Sequence, residues 1–263
     1  MSDLNELVHH ESAAGVARIT LDSPPNRNAL SIALLQQLQE ALERALRDPE
    51  TRVIVLTGTG SVFCSGADLR EQRDYNERGE RSPVSGMLVD LLTLVQGAAK
   101  PIVARINGHA RAGGLGLIGA ADIVVSVQEA TFGFAEVRIG VVPAVIAVTT
   151  LPRLTPRAAT ELLLTGENFD AARAVEIGLI NRAVPGAELD VEVDRYVEML
   201  RLGGPEALAI VKEMIARVRA LPVHEAFREM VELSAERFAS REAQEGMRAF
   251  AEKRPPSWAE SRA

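Results

Sequence analysis

The 263-residue chain has a single cysteine, Cys64, and fewer basic than acidic residues. One cysteine excludes an intrachain disulfide, and no Cys/His spacing fits a zinc site. With 29 Lys+Arg against 36 Asp+Glu the formal net charge is -7, which repels polyphosphate at long range and argues against a dedicated nucleic-acid binder. Long apolar runs are also missing. The longest, Leu115 to Ala121 and Val141 to Val148, fall well short of the ~20 residues that span a bilayer. The start, Met1-Ser2-Asp3-Leu4-Asn5-Glu6, is acidic and lacks the basic and apolar stretches of a signal or transit peptide. These absences predict a soluble protein of a reducing cytoplasm, with neither membrane nor nucleic acid as partner.

What is present is globular: 47% hydrophobic and 25% charged residues in 28.3 kDa, enough chain to bury roughly three quarters of its unfolded surface. Val16 to Leu21 alternates like a half-buried strand behind the Ala13-Ala14-Gly15 turn, which predicts an opening hairpin. From Ser31, a plausible N-cap, Leu34, Leu35, Leu38, Leu42, Ala45 and Leu46 recur at helical spacing until Asp48-Pro49. Val53 to Leu56 then reads as a fully buried strand leading into a glycine-containing loop. This step recurs loosely at Ile102 to Ile106, Ile123 to Val127 and Leu179 to Val184, so an α/β fold follows.

Between Arg70 and Ser82 the chain is too charged for core and has no strand pattern, which predicts a mobile surface segment. After about Val184 the remainder reads as helices: Glu188 to Leu200, Pro205 to Ala220, Val223 to Ala239 and Arg241 to Ala251. The pattern therefore divides the chain into an α/β core over 1–185 and a helical extension over 186–263 without a linker between them.

Three segments put small residues and a polar group after a buried strand, where α/β folds tend to place ligands. Phe63-Cys64-Ser65-Gly66-Ala67-Asp68-Leu69 reads either as a tight turn capped by Asp68 or as a helix start whose free N–H groups face a developing negative charge. Cys64 has no evident local base, so a small core residue is the simpler reading than a nucleophile. The second segment, Asn107 to Gly119, contains a literal G-x-G-x-x-G at Gly114 to Gly119. It lies in mid-chain, the helix before the next strand has only about two turns, and Gln128-Glu129 comes too early for a ribose-binding acid ~20 residues on. What survives is close backbone approach at Gly113 and Gly114, with N–H groups at a helix start. In the third, Thr131 to Pro143, Glu136 stands between apolar residues. It reads equally as a carboxyl raised toward the range useful for proton transfer or as a surface partner of Arg138.

In order along the chain, Asn28-Ala29-Leu30, Phe63 to Leu69, Lys100-Pro101, Asn107-Gly108, Gly113-Gly114, Asp122-Ile123, Phe132-Gly133, Glu136, Gly140 and Pro143 resemble the crotonase, or enoyl-CoA hydratase/isomerase, family. The match resumes at Leu164-Thr165-Gly166, Gly178-Leu179-Ile180, Glu245-Gly246-Met247 and Ala249-Phe250, and spans nearly the whole sequence. The resemblance implies a spiral of ββα turns with a helical C-terminal region that forms homotrimers, commonly paired into hexamers. It implies an acyl-CoA thioester as substrate, with coenzyme A entering only as part of it and no other cofactor or metal.

Matching the motifs residue by residue makes the N–H groups of Ala67 and Gly113 the oxyanion donors and Glu136 the catalytic carboxylate. Substrate and CoA contacts fall to Asn28, Ala29, Gly66, Asp68, Leu69, Arg70, Gly114, Gly116, Pro143, Phe250 and Lys253. The chain departs from the best-known hydratases at Gly116, where they carry a second glutamate, and at Ala144-Val145-Ile146-Ala147, where they carry a glycine-rich turn. Leu115-Gly116-Leu117 with Pro143 to Ile146 is similar to a branch containing methylglutaconyl-CoA-type hydratases. Three activities stay open: hydration of a 2-enoyl-CoA with one glutamate, 3-enoyl to 2-enoyl isomerisation, and acyl-CoA binding without turnover. His109 or Arg111 could replace the missing glutamate, and Glu71, Asp74 and Tyr75 could form a lid.

Overall fold

The computed structural model describes residues 6–259; the acidic start at residues 1–5 and residues 260–263 lie outside them. β1 (Val8–Ala13) and β2 (Val16–Leu21) form the predicted antiparallel hairpin, turning at Ala14 and Gly15. α1 (Ile32–Arg47) begins at Ser31, whose hydroxyl accepts the Leu34 N–H at 3.2 Å. Its leucine face is buried, as the spacing predicts.

Three turns then alternate between two sheets. β3 (Val53–Gly58), β5 (Ile102–Ile106) and β7 (Ile123–Val127) enter a six-stranded sheet ordered β1-β2-β3-β5-β7-β10, with β10 at Arg182–Val184. β4 (Val62–Cys64), β6 (His109–Arg111) and β8 (Thr131–Gly133) enter a four-stranded sheet that β9 (Asn168–Asp170) closes antiparallel. Each turn gives one strand to each sheet and then a helical stretch, so the chain advances as the expected spiral. β10 is shorter than the predicted strand from Leu179, because Leu179 and Ile180 are buried in the turn before it.

The intervening helices are α2 (Leu69–Glu77), α3 (Val84–Gln96), α4 (Gly113–Ala120), α5 (Ala144–Thr150), α6 (Pro156–Thr165) and α7 (Ala171–Glu176). The charged 70–82 stretch lies at the surface without a strand, as expected, and its first part is the helix α2, which buries no residue. Asp68 accepts the Arg70 N–H at 2.9 Å as its N-cap, and the Glu71 carboxylate accepts the Ile32 N–H at 3.0 Å, tying α2 to the start of α1. Glu71 is thereby engaged in capping α1 rather than free to serve in a lid.

Side chains alternate across each central strand, so the large sheet is buried on both faces. Ile54, Leu56, Ile102 and Ala104 join the main core with α1, α3 and α4, whereas Val53, Val55, Val103 and Val125 meet Leu189, Val193 and Val197. Those last three belong to α8 (Leu189–Leu202), so the first helix of the C-terminal region covers the second face of the sheet. α9 (Pro205–Ala220), α10 (Val223–Ala239) and α11 (Arg241–Glu252) follow beyond it. The Glu242 carboxylate caps α9 by accepting the Glu206 and Ala207 N–H groups at 2.9 and 2.8 Å. Arg52 donates to the carbonyls of Gly203 and Trp258, strapping the end of the chain to the body.

Candidate active site

Two backbone segments meet where β4 and β6 end. Gly66 has φ +90°, and a Cβ there would stand 2.7 Å from the Ala112 Cβ and 3.2 Å from the Gly113 N, so only glycine permits the approach. The Gly66 carbonyl accepts the Leu30 N–H at 2.7 Å and the Asp68 N–H reaches the Leu30 carbonyl at 3.4 Å. Between them the Ala67 N–H has no acceptor among the described residues. Gly113 opens α4, so its N–H has no intrahelical partner either.

The residue that aims Gly113 is Ala112, at φ 46° and ψ -117°. An alanine held there costs about 1–3 kcal/mol and persists only where its surroundings impose it. Here a 3.3 Å bond from the Ala112 N–H to the Gly133 carbonyl, and bonds from Leu115 and Gly116 to the Ala112 carbonyl, hold it in place. Nothing in the alanine itself marks this position in the sequence, which is why it is absent from the predicted site residues.

Glu136 lies on a 3-10 turn over Ala135–Ile139, following the buried Phe132 and Phe134, both of which stack on Phe169. Its Oε2 is buried without a hydrogen-bond partner among the described residues. Burial pushes the carboxyl above its usual range, opposed in part by its own backbone N–H. Arg138 does not neutralise it: that guanidinium donates to the Thr165 carbonyl at 3.2 Å. An unpaired carboxyl of this kind can hold or take up a proton near neutral pH more readily than a surface glutamate.

The α4 face one turn in from Gly113 is closed. A Cβ on Gly116 would stand 2.7 Å from Ile146 Cγ2 and 3.3 Å from Leu92 Cδ1. The Thr149 hydroxyl donates to the Gly116 carbonyl at 3.0 Å, and a Cβ on Gly119 would lie 2.7 Å from the Thr149 carbonyl. The glycines of the apparent dinucleotide fingerprint thus serve close packing of α5 on α4, and every residue of α4 is buried. Gly114 is likewise pressed against the Cys64 carbonyl.

Several other predicted contacts have different duties. Asn28 is fully buried; both its amide protons are taken by the carbonyls of Thr59 and Val62, and its oxygen accepts the Ser23 N–H. It braces the loop before α1 rather than offering donors to a ligand. Ala29 is buried beside it. Asp68 caps α2 and accepts from Asn26 at 2.8 Å, Leu69 is exposed, and Arg70 is an exposed cation bonded to Asn26 at 3.3 Å. Pro143 is the N-cap residue of α5.

Phe250 is 87% exposed near the end of α11, and Lys253 ends that helix at positive φ. Among the described residues no hydrogen bond or ion pair joins α11 to α2, so one chain does not tie these two to Arg70. His109 begins β6, at the strand end away from Gly113, where its Nδ1 accepts the Thr131 N–H at 3.1 Å. Arg111 donates to the carbonyls of Ala110 and Thr131. Neither stands in for a second glutamate on α4. Cys64 is buried and its thiol is pushed up to about 12, which removes it as a nucleophile.

The profile of the enoyl-CoA hydratase/isomerase family matches residues 11–261. A "Putative enoyl-CoA hydratase" of Thermus thermophilus is 37% identical over 243 residues, covering 92% of this chain and 96% of that protein. A carnitinyl-CoA dehydratase of Salmonella enteritidis is 33% identical over 261 residues, covering 97% and 99%. The crystal structure of an enoyl-CoA hydratase from Shewanella pealeana superposes with a TM-score of 0.91 at 28% identity, covering 96% of each chain. Agreement of this extent in both sequence and backbone places the protein by descent: the chain belongs to the enoyl-CoA hydratase/isomerase, or crotonase, family.

Proposed function

We propose that the protein adds water reversibly to a 2-enoyl-CoA to give a 3-hydroxyacyl-CoA, with Glu136 as its only acid-base carboxylate. The observation that carries this reading is the buried, unpartnered Oε2 of Glu136. The N–H groups of Ala67 and Gly113 receive the thioester oxygen, where negative charge gathers as the enolate forms. One such donor is typically worth about 3 kcal/mol of transition-state stabilisation. Glu136 takes a proton from the water that attacks C3 and returns a proton to C2, so one carboxylate completes the cycle.

A second reading is favoured by the Gly116 contact, which leaves no room for another carboxylate on α4. A lone base suffices to move a proton between C4 and C2 in a 3-enoyl-CoA. Incubating crotonyl-CoA, 3-methylglutaconyl-CoA and a 3-enoyl-CoA with wild type and Glu136→Gln, and following the thioesters by mass, separates the readings. A gain of water lost in Glu136→Gln supports hydration. Conversion of the 3-enoyl substrate without mass change moves the assignment to isomerase, and binding without turnover of any substrate leaves an acyl-CoA-binding protein.

The assembly we propose is a homotrimer or a pair of trimers, built through α9 to α11. Val223, Phe227, Val231 and Phe238 of α10 are all exposed in one chain, which supports burial against another copy. Phe250 and Lys253 would then reach the CoA portion across that interface. The buried free Cys64 suits a reducing compartment such as the cytoplasm.

A further inference from the structure

Ala112 is the single residue between β6 and α4, and its φ of 46° and ψ of -117° form a conformation that glycine adopts freely and alanine resists. The chain carries glycine at 113, 114, 116 and 119, yet alanine where the backbone most favours glycine. A methyl group kept against strain should have a contact that needs it, and that contact is Gly66. A Cβ on Gly66 would stand 2.7 Å from the Ala112 Cβ, 3.2 Å from the Gly113 N and 3.3 Å from the Arg111 carbonyl oxygen. The Ala112 methyl thus fills the space that the missing side chain of Gly66 leaves open. Gly66 immediately precedes Ala67 and Ala112 immediately precedes Gly113, so the contact lies one residue back from each oxyanion donor.

Both sides of this contact are anchored from behind. The Gly66 carbonyl accepts the Leu30 N–H at 2.7 Å, and Leu30 pairs with Ala67 in an isolated parallel bridge. On the other side the Ala112 N–H donates at 3.3 Å to the carbonyl of Gly133, the last residue of β8 and three residues before Glu136. With both segments held, the methyl between them sets how closely they approach. We infer that Ala112 is a positioning residue whose methyl group, seated on Gly66, spaces the N–H donors of Ala67 and Gly113 for one thioester oxygen. The inference rests on the oxyanion reading above and deepens it. Such donors act fully only within about 2.7–3.1 Å of the oxygen, so a spacer that removes slack between them serves the transition state more than binding. Glycine at 112 would relieve the backbone strain and remove the spacer in one change, so stability and catalysis should move apart.

The test compares wild type with Ala112→Gly and with Ala112→Ser, which keeps the Cβ. Butyryl-CoA isotope-labelled at the thioester carbonyl is saturated, so its bound carbonyl stretch, followed by difference infrared spectroscopy, reports the donors apart from Glu136. Wild type is expected to move that stretch to lower frequency on binding. Ala112→Gly is expected to lose at least half of the shift while melting no lower than wild type, and Ala112→Ser to retain most of it. For crotonyl-CoA, kcat in Ala112→Gly should fall about tenfold or more with KM little changed; if crotonyl-CoA is not turned over, the infrared shift decides alone. An undiminished shift in Ala112→Gly overturns the spacer role and leaves the donors standing. Equal losses of shift and of melting temperature in both variants also overturn it, making the methyl a packing group only. If wild type binds butyryl-CoA without a shift, or does not bind it, the donor assignment of Ala67 and Gly113 falls together with the inference.

Discussion

Asp122 Oδ2 accepts the Lys212 ammonium at 2.6 Å and the Ile102 N–H at 2.8 Å, joining a C-terminal helix to the first residue of a central strand. Lys212 also donates to the Lys100 carbonyl at 3.2 Å. With side-chain exposures of 13% and 25%, the pair is shielded enough that losing one partner strands the other.

Lys212→Met should therefore destabilise the protein by roughly 2–3 kcal/mol, because it removes the ammonium that Asp122 Oδ2 accepts. Urea unfolding measures the loss, and limited proteolysis should show earlier cleavage within α9 to α11. A variant with wild-type stability and digestion pattern would mean that α9 is held by its apolar contacts alone.

Glu136→Gln should lower turnover by about 10²–10⁴-fold with little change in substrate affinity, as expected for loss of a positioned acid-base group. Its effect on stability has the opposite sign. Burial raises the folded-state pKa of Glu136, so its contribution to stability is fully present below the unfolded value and is lost as pH rises through the folded value. At neutral pH the substitution should stabilise the protein, with the difference shrinking toward pH 4. A lower melting temperature for Glu136→Gln at pH 7.5 would falsify the account of that carboxyl as unpaired.

His9 Nε2 lies 2.6 Å from Asp22 Oδ2, while the Thr59 hydroxyl donates to Asp22 Oδ1 at 2.6 Å. The hydrogen bond with Asp22 raises the His9 pKa, against the smaller opposing effect of burial. Thr59 and then His9 hold Asp22 below its usual range. A raised histidine contributes below its unfolded pKa of about 6.5 and loses that contribution as pH climbs through the folded value. His9→Ala should cost no more than about 1 kcal/mol near pH 5.5, since both groups are partly solvent-exposed, and less above pH 8. A stability difference independent of pH would assign the effect to packing.

The Cys64 thiol should resist modification in the folded protein. Burial holds its pKa up at about 12, so thiolate is scarce at pH 8 and the sulfur is inaccessible. A disulfide reagent should titrate one thiol in urea and almost none without it. Rapid stoichiometric labelling of native protein would show that β4 opens readily.

Local pattern alone was sufficient for much of the architecture. The spacing of leucines after Ser31, the continuous apolar run at Val53 to Leu56 and the proline breaks of the C-terminal region mark α1, β3 and α9 to α11 within a few residues. These elements are legible because periodicity, caps and breakers act within a few neighbours. The charged stretch after Arg70 reads correctly as surface, since α2 has no buried residue, but its helix was not legible there, because the Glu71 contact with Ile32 that fixes it comes from a segment 39 residues away.

Position by position, the site divides in the same way. That Glu136 is flanked by apolar residues is visible in the chain, but whether it would face Arg138 or stand unpaired depended on where α6 placed the Thr165 carbonyl. The identity of Gly116 is a fact of sequence; its closure by Ile146 arises only when α5 packs on α4. Asn28 and Ala112 were decided entirely by folding, one drawn into the carbonyls of Thr59 and Val62 and the other forced to positive φ at the mouth of α4. Side-chain chemistry and local periodicity belong to the sequence by itself, whereas pairing, enclosure and backbone strain depend on residues far apart in the chain, which only the packed fold brings into contact.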